Sequence, residues 1–396
     1  MYLISRAVSV VLGLTFSLFY SRTLGPENRG ILTAVFLATV FFSQIINGGL
    51  DLSFRSRLSG LDPSKNAFEY SVFSLLSSLT IALFTDLVLM IYSRFKVEVS
   101  HNFIIITTIY CFLAVLSEQI TQFLLSMRRF DALWKIEIVT IPLQITCFIS
   151  LHHLNYFSTS VCVLLSFSIS YLIIIVRLIW YVRKHVNFEN SKIFYKLHNL
   201  FTVSKINLGY NLCLSLLDRI DRILILLIFT NSDFGKYSLV TGVIVATRVF
   251  PETIGQLILG KKLKQIQHIL KPFTNTLLIL TILLPCVISL MLQLIIKNYF
   301  GEIWYINPWV VILFAYSELI RGTYLIQISQ ILEGGKQHKI HLQTAILTLF
   351  ITLVTGLLAA TTHEIITVPA GLLVGYLVSN IAIKLWLRST LKKKKY

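Results

Sequence analysis

The chain has 396 residues, of which 55% are hydrophobic and only 13% are charged, and its formal net charge is +17. Soluble domains carry about twice that share of charged side chains. The composition therefore excludes an ordinary soluble protein, and the basic balance leaves membrane surfaces and nucleic acids as the partners to weigh.

Apolar segments recur along the whole chain and predict about twelve membrane spans. Most hold ~20 residues, which cross a hydrocarbon core of ~30 Å as a helix. Barrel strands are excluded because runs such as Phe103 to Tyr110 do not alternate with polar residues. We therefore predict an all-α integral membrane protein. The predicted spans are 7–21, 31–54, 68–93, 102–127, 134–151, 157–180, 206–230, 235–259, 273–296, 303–330, 342–361 and 365–387.

The first six predicted spans contain few charges, and Glu118 is the deepest of them. It lies inside the fourth span without an obvious cation beside it. An ionised carboxylate is costly in that setting, which makes Glu118 a candidate for binding and releasing a coupling ion. The alternative is a protonated Glu118 that is hydrogen-bonded to a neighbour such as Gln119 or Gln122. The sequence leaves both interpretations open.

A polar segment after the sixth span divides the chain into two halves. We predict an N-terminal lobe at 1–183, a cytoplasmic connector at 184–205, and a C-terminal lobe with a basic tail at 206–396. Gly30 and Gly235 open the second helix of each half. Because each half has an even number of spans, both start from the same side of the membrane, as in a parallel repeat. The fold predicted is two pseudo-symmetric six-helix lobes with a substrate site between them near the midplane.

Four ionisable residues lie near the middle of the seventh span. They are Asp218, Arg219, Asp221 and Arg222. A charge at the membrane centre costs roughly 2.5 to 3.5 kcal/mol on insertion scales, so such residues usually face a cavity or a partner. At about 100° per residue, the four positions fall on one face of a helix. The pattern predicts a charged chamber inside the membrane.

The eighth and tenth spans add two more pairs of opposite charge. Arg248 and Glu252 lie one turn apart, and Glu318 and Arg321 lie three residues apart, so each pair shares a helix face. A guanidinium forms forked hydrogen bonds to phosphate oxygens, so arginine suits a phosphate-bearing ligand. The candidate binding residues are Arg219, Arg222, Arg248 and Arg321, with Asp218, Asp221, Glu252 and Glu318 as acidic partners in the cavity.

A structural alternative stays open for these charges. Asp218 with Arg222, Arg248 with Glu252, and Glu318 with Arg321 can neutralise one another as pairs that hold helices together. Pro251 follows Arg248 by three residues and removes a backbone donor, which makes it a candidate hinge in the eighth span.

The location of the basic residues predicts the topology. With both termini in the cytoplasm, most of the 35 lysines and arginines fall in cytoplasmic loops or in the basic tail. This asymmetry follows the positive-inside rule, so the net charge reflects topology and anionic lipid rather than nucleic acid. We predict a multi-pass membrane protein with both termini in the cytoplasm. The basic residues predicted outside are Arg22, Arg29, Arg94, Lys96, Lys236 and Lys297.

The five cysteines all lie within predicted spans, with no CxxC motif and no histidine cluster. This arrangement gives no support for a disulfide framework or a metal site, and the sequence predicts no cofactor.

Three short motifs together resemble one transporter family. Leu24-Gly25-Pro26-Glu27-Asn28-Arg29-Gly30 is similar to the Leu-Gly-Pro-Glu-x-aromatic-Gly turn of polysaccharide flippases, although Arg29 replaces the aromatic residue. Arg219-Ile220-Asp221-Arg222 followed by Phe234-Gly235-Lys236-Tyr237 resembles that family's charged seventh helix and the entry into its eighth. Gly334-Gly335-Lys336 is similar to its inner turn. The family comprises the O-antigen translocases of the multidrug/oligosaccharidyl-lipid/polysaccharide exporter (MOP) superfamily.

This resemblance implies a two-lobed flippase for a lipid-linked oligosaccharide. Such a protein moves a polyprenyl-pyrophosphate-linked O-antigen or capsule repeat unit to the outer leaflet by alternating access. The implied partners are that substrate, membrane lipids and the polysaccharide polymerase machinery. Family members are thought to couple to ion gradients, and Glu118 is the candidate for that role.

Three other functions compete with the flippase. A drug or cation exporter on the same fold is expected to prefer an acidic cavity, whereas the arginines here favour an anionic substrate. A polytopic polymerase or ligase needs a roomy outer loop, and the predicted outer loops are short. A scaffold without transport function is disfavoured by the cost of burying so many charges. The sequence therefore predicts a transporter and not an enzyme.

Overall fold

The computed structural model describes residues 2–58, 67–95, 100–126, 130–185, 212–213, 215–245, 273–332 and 338–393. Within these ranges all regular secondary structure is helical and there is no strand. Helices satisfy their backbone hydrogen bonds internally, as a chain in lipid must. The predicted all-α fold class is confirmed.

The described residues up to 185 form five helices. Helix α1, Tyr2–Leu58, holds the first two predicted spans, which are separated at Gly25, where φ is 74° and ψ is 166°. Glycine adopts this left-handed conformation without steric cost. Pro26 then begins the next helix, at a position where its missing N–H has no intrahelical partner to lose. The helices are α1 Tyr2–Leu58, α2 Ala67–Phe95, α3 His101–Ser126, α4 Phe130–His153 and α5 Thr159–His185.

From residue 220 on, the described residues form two short helices followed by four long ones. The short helices are parts of the predicted seventh and eighth spans, and the long ones correspond to the last four. A π-helical turn, Ile296–Phe300, and a 3-10 turn, Glu302–Trp304, connect the first two of the long helices. The helices are α6 Ile220–Ile228, α7 Asn231–Val245, α8 Phe273–Ile295, α9 Pro308–Leu332, α10 His338–Thr362 and α11 Thr367–Lys393.

Six helical segments of the described chain are long and apolar enough to cross a membrane. The shortest of them has 19 residues. A helix needs ~20 residues to cross a bilayer. The protein is therefore a multi-pass membrane protein. The segments are Val11–Ile45, Tyr70–Tyr92, His101–Thr121, Thr159–Trp180, Leu342–Thr362 and Thr367–Leu385.

The chain forms two compact units. Unit 1 comprises Met1–Leu24 and Ile31–Ser215, and unit 2 comprises Gly25–Gly30 and Leu216–Tyr396. The turn at Gly25–Gly30 thus packs within unit 2, although the helices on both sides of it belong to unit 1. Most of the predicted connector at 184–205 lies outside the described residues, and the predicted lobe boundaries stay a prediction.

Aromatic side chains fill the core of unit 1. Phe16 of α1 makes edge-to-face contacts with Tyr20 at 5.2 Å and with Phe148 of α4 at 5.7 Å between ring centroids. Phe167 of α5 packs in the same way against Phe36, at 5.6 Å. Each such pair contributes about 0.5–1.5 kcal/mol beyond the burial of its surface. These contacts connect α1, α4 and α5.

Helices α10 and α11 of unit 2 pack closely through glycines and hydroxyl groups. A Cβ atom on Gly371 would overlap the side chain of Thr355, and one on Gly375 would lie 2.8 Å from Cγ2 of Thr348. Thr348 also shares a hydrogen bond with Ser379, and Oγ of Ser379 donates to the carbonyl of Thr344 at 3.1 Å. Small residues and hydroxyls of this kind let membrane helices approach closely without a hydrophobic driving force.

Candidate functional site

The helical segment with the four charged residues is broken in the middle of the charges. Residues 215–217 are helical, Asp218 and Arg219 form a turn, and α6 begins at Ile220. The N–H of Arg219 donates to the carbonyl of Leu216 at 3.0 Å, and Arg219 has φ −137° and ψ 0°. The prediction that all four charges lie on one uninterrupted helical face is therefore wrong. Because of the turn, Asp218 and Asp221 reach different partners.

Arg321 of α9 lies between two carboxylates. Its guanidinium contacts Oδ1 of Asp218 and lies 3.4 Å from Oε1 of Glu318. Its carbon Cζ lies 5.8 Å from the ring centroid of Tyr376 in α11, within the range of a cation–π contact. Arg321 and Glu318 are only 6% and 3% exposed. Asp218, which the sequence paired with Arg222, thus joins the Glu318–Arg321 pair and links the turn before α6 to α9.

Asp221 has a different partner, the hydroxyl of Tyr237 in α7. That hydroxyl donates to Oδ2 of Asp221 at 2.8 Å, and the carboxylate is 2% exposed. The Tyr237 ring packs edge-to-face on Phe314 of α9, with centroids 5.7 Å apart. Asp221 also lies in the first turn of α6, where a negative charge is favoured by the helix dipole. One carboxylate therefore holds α6 and α7 together.

Arg219 and Arg222 are the cations at the start of α6. Arg219 is the N-cap residue and is 8% exposed. Arg222 is half-buried, and its Nε has no hydrogen-bond partner among the described residues. A buried donor without an acceptor is costly, and the N-terminal amides of a helix attract anions. The start of α6 therefore has the donors and the charge to bind an anionic group.

The turn at 25–30 packs against the start of α7 within unit 2. A Cβ atom on Gly30 would overlap the carbonyl oxygen of Asn231, and one on Gly235 would overlap the carbonyl oxygen of Pro26. Pro26 and Asn231 each precede their glycine by four residues, so the two contacts are reciprocal, as around a two-fold axis. Buried Arg29 donates from Nε to Oγ of Ser238 at 3.3 Å. The close approach of two backbones thus explains why both positions of the predicted repeat are glycine.

Three residues that lie around Arg321 and Asp221 were not identified from the sequence. They are Tyr237, Tyr376 and Asn380, all buried. The side-chain amide of Asn380 donates to the carbonyls of Ile320 at 3.1 Å and Tyr376 at 3.0 Å, which ties α11 to α9 beside Arg321. An asparagine inside the apolar segment 365–387 was the available signal, because amides in membrane helices bond across to neighbours.

Several predicted site residues lie outside the part of the chain that the structure describes. Arg248, Pro251 and Glu252 fall in the gap at 246–272. Their assignment to the cavity, and Pro251 as a hinge, stay predictions.

Glu118 belongs to α3 of unit 1 and not to this cluster. Its Oε2 accepts a hydrogen bond from Oγ of Ser43 at 3.0 Å, and the side chain is exposed. The neighbouring Gln119 is buried and accepts a hydrogen bond from the Tyr70 hydroxyl at 2.9 Å. A serine in α1 is therefore one hydrogen-bond partner of Glu118.

Comparison with known proteins finds matches among solved structures only. No family model matches the chain, and no curated protein matches it. Solved structures do match over nearly its full length, at low sequence identity.

Three of these structures show the range of the match. A lipid II flippase, MurJ, in an inward closed conformation gives a TM-score of 0.72 at 15% identity, over 98% of this chain and 87% of that chain. An inward-facing multidrug resistance MATE family transporter gives 0.67 at 14%, over 98% and 96%. A MOP superfamily transporter from Pyrococcus furiosus, with a binding pocket of reverse polarity, gives 0.64 at 12%, over 100% and 96%.

These matches define the class of fold. The protein has the two-lobed all-helical fold of MOP superfamily transporters. Its structural neighbours are transporters and flippases rather than enzymes.

Proposed function

We propose that this protein is a flippase for a polyprenyl-pyrophosphate-linked oligosaccharide, an O-antigen or capsule repeat unit. It moves the substrate from the cytoplasmic to the outer leaflet of the bacterial inner membrane by alternating access, with both termini in the cytoplasm. The observation that carries the proposal is the half-buried guanidinium of Arg222 at the first turn of α6, whose Nε has no partner among the described residues. Pyrophosphate oxygens are strong acceptors for such a group.

The acidic residues of the cluster favour this substrate over a cation. Asp221 accepts from Tyr237, and Asp218 and Glu318 both contact Arg321. A cationic drug would have to displace these contacts and leave a buried partner unsatisfied, which is costly. An anionic substrate can instead bind Nε of Arg222, which has no hydrogen-bond partner among the described residues. This argument favours a flippase over a drug exporter on the same fold.

The roles of the arginines differ in this proposal. Arg219 and Arg222, with Arg248 in the undescribed segment, bind the pyrophosphate. Arg321 is held by two carboxylates, which supports the structural interpretation that the sequence left open for it. Glu118, exposed in unit 1 and bonded to Ser43, is the proposed site of ion coupling. The polysaccharide polymerase machinery is the proposed partner that receives the product.

Leaflet transfer in vesicles that contain only this purified protein tests the proposal. The probe is a fluorescent polyprenyl-pyrophosphate-linked oligosaccharide, and the readout is the fraction of sugar that becomes accessible to a lectin on the opposite face. Arg222→Ala should lower the transfer rate by roughly 10- to 100-fold, because a hydrogen bond to a charged group contributes about 1.5–3 kcal/mol. Arg222→Lys should recover only part of the rate, because an ammonium cannot form a forked bond.

Arg177→Ala is the matched control, since it removes an exposed arginine of α5 in unit 1 and should leave the rate unchanged. Transport of an organic cation, without transfer of the lipid-linked sugar, would assign the drug-exporter alternative. Full activity in the Arg219→Ala, Arg222→Ala double variant would reject pyrophosphate binding at this site.

A further inference from the structure

Unit 1 contains a cavity of about 230 Å³ at one end of α2, α3 and α5. Tyr70 begins the apolar span of α2, and Phe123 and Arg183 lie just beyond the ends of the spans of α3 and α5. Exposed Trp180, at the end of the α5 span, is typical of a residue at the membrane–water interface. The cavity therefore lies at the level of lipid head groups, at the end of the helices where the sequence predicts the cytoplasmic loops.

The wall of the cavity is mainly apolar. Leu75, Leu116, Ile120 and Ile179 supply aliphatic surface. The rings of Tyr70 and Phe123 are stacked, with centroids 5.0 Å apart and 27° between the planes. The hydroxyl of Tyr70 already donates its hydrogen to Gln119 at 2.9 Å, so Tyr70 contributes its ring to the cavity and not a hydrogen-bond donor.

Besides Tyr70, the polar residues that line the described wall are Ser71, Ser74 and Arg183. Ser74 is 2% exposed, and its Oγ has no hydrogen-bond partner among the described residues. A buried hydroxyl is normally bonded, because an unmade hydrogen bond costs free energy. Ser74 therefore points to a ligand with an acceptor next to its apolar portion, and Arg183 points to an anion.

Exposed apolar residues continue the cavity along the membrane-spanning surface of unit 1. Leu79 and Leu83 follow Leu75 at helical spacing along α2, and Val176 and Leu172 precede Ile179 along α5. A cavity of this size is below the ~300 Å³ at which drug-sized sites begin. It is large enough for the part of an alkyl chain next to the head group, while the rest of the chain lies along the exposed surface.

We propose that this cavity binds an anionic phospholipid of the cytoplasmic leaflet. The phosphate lies at Arg183, the Ser74 hydroxyl donates to an oxygen of the head group or ester, and one acyl chain lies against Leu75, Leu116 and Ile179. A single cation matches a phosphodiester with one negative charge, whereas a pyrophosphate would call for more. The occupant is thus a membrane lipid, and the described residues that line the site all belong to unit 1.

Lipid retention by the full-length protein tests this proposal. The protein is reconstituted in vesicles of phosphatidylcholine with phosphatidylglycerol, extracted in mild detergent, and analysed by native mass spectrometry for bound lipid. The wild type should retain phosphatidylglycerol in preference to phosphatidylcholine. Arg183→Gln should reduce that retention roughly tenfold, and Arg183→Lys should preserve most of it. Arg177→Gln, on the same helix but outside the cavity wall, is the control and should behave as wild type.

A second variant tests the cavity itself. Ser74→Leu fills the space where the acyl chain begins and should abolish retention although Arg183 is intact. Equal retention of both lipids, or unchanged retention in Arg183→Gln or in Ser74→Leu, would overturn the proposal. Displacement of phosphatidylglycerol by an equimolar polyprenyl pyrophosphate would also overturn it, because the cavity would then be a substrate site. Arg183 is exposed, so Arg183→Gln remains informative if Ser74→Leu does not fold.

Discussion

The helices within unit 1 and the helices within unit 2 are held together by different kinds of side-chain contact. The core of unit 1 is built of aromatic and aliphatic side chains, and the Phe16 ring contacts the rings of both Phe148 and Phe167. Unit 2 instead buries Asp221, Glu318 and Arg321. Apolar contacts are each weak and tolerate replacement, whereas a buried charge depends on one or two partners. Single substitutions should therefore affect unit 2 more than unit 1.

The largest effect is expected at the reciprocal contact in unit 2. Gly235→Ala places a methyl group against the carbonyl oxygen of Pro26, and neither backbone can move without disturbing a helix. We expect a loss of roughly 3 kcal/mol in the free energy of unfolding, or no folded protein. The measurement is unfolding by SDS in mixed micelles. Gly242→Ala, in the same helix, has its nearest neighbour at 4.0 Å and should be neutral or stabilising.

The ion pairs of Arg321 should show the next largest effect. Arg321→Met leaves Asp218 and Glu318 without their shared cation and should lower the free energy of unfolding by roughly 3–5 kcal/mol. Adding Asp218→Asn and Glu318→Gln removes the uncompensated charges and should restore much of the stability. Transport measured on the same variants separates two roles: recovery in the triple variant supports a structural Arg321, and continued inactivity supports contact with substrate.

A smaller effect is expected from the hydrogen bond between Tyr237 and Asp221. Tyr237→Phe keeps the ring contact with Phe314 but removes the donor to a buried carboxylate. The expected loss is about 1–3 kcal/mol in the free energy of unfolding. Tyr305→Phe, at an exposed tyrosine of the same unit, serves as the control. Equal stability of the two variants would show that Asp221 does not depend on this bond.

The smallest effect on stability is expected in unit 1. Glu118→Gln keeps an oxygen that accepts from Ser43 and should change the free energy of unfolding by less than about 0.5 kcal/mol. If Glu118 couples transport to protons, the variant loses the acceleration that a pH gradient gives in vesicles. Asp86→Asn, at a carboxylate bonded to Thr108, should keep that acceleration. An unchanged gradient response in Glu118→Gln assigns coupling to another residue.

Much of the fold was predictable because lipid restricts the choices. Apolar segments of ~20 residues must be helices in a bilayer, so composition and span length determined the all-α class and the membrane setting. The sequence also identified Asp218, Asp221, Glu318 and Arg321 as buried or half-buried charges, because an ionisable residue inside a span rarely faces lipid.

Only the tertiary structure decided which charges are partners. Helical spacing paired Asp218 with Arg222, but the turn at Asp218 and Arg219 directs Asp218 to Arg321, about a hundred residues further along the chain. The tertiary structure also showed why residues 30 and 235 are glycines: the two backbones make a reciprocal contact that leaves no room for a Cβ atom. Local periodicity states which face a residue occupies on a regular helix. It carries no information about a break in that helix or about which distant helix lies opposite, because packing of the whole unit determines both.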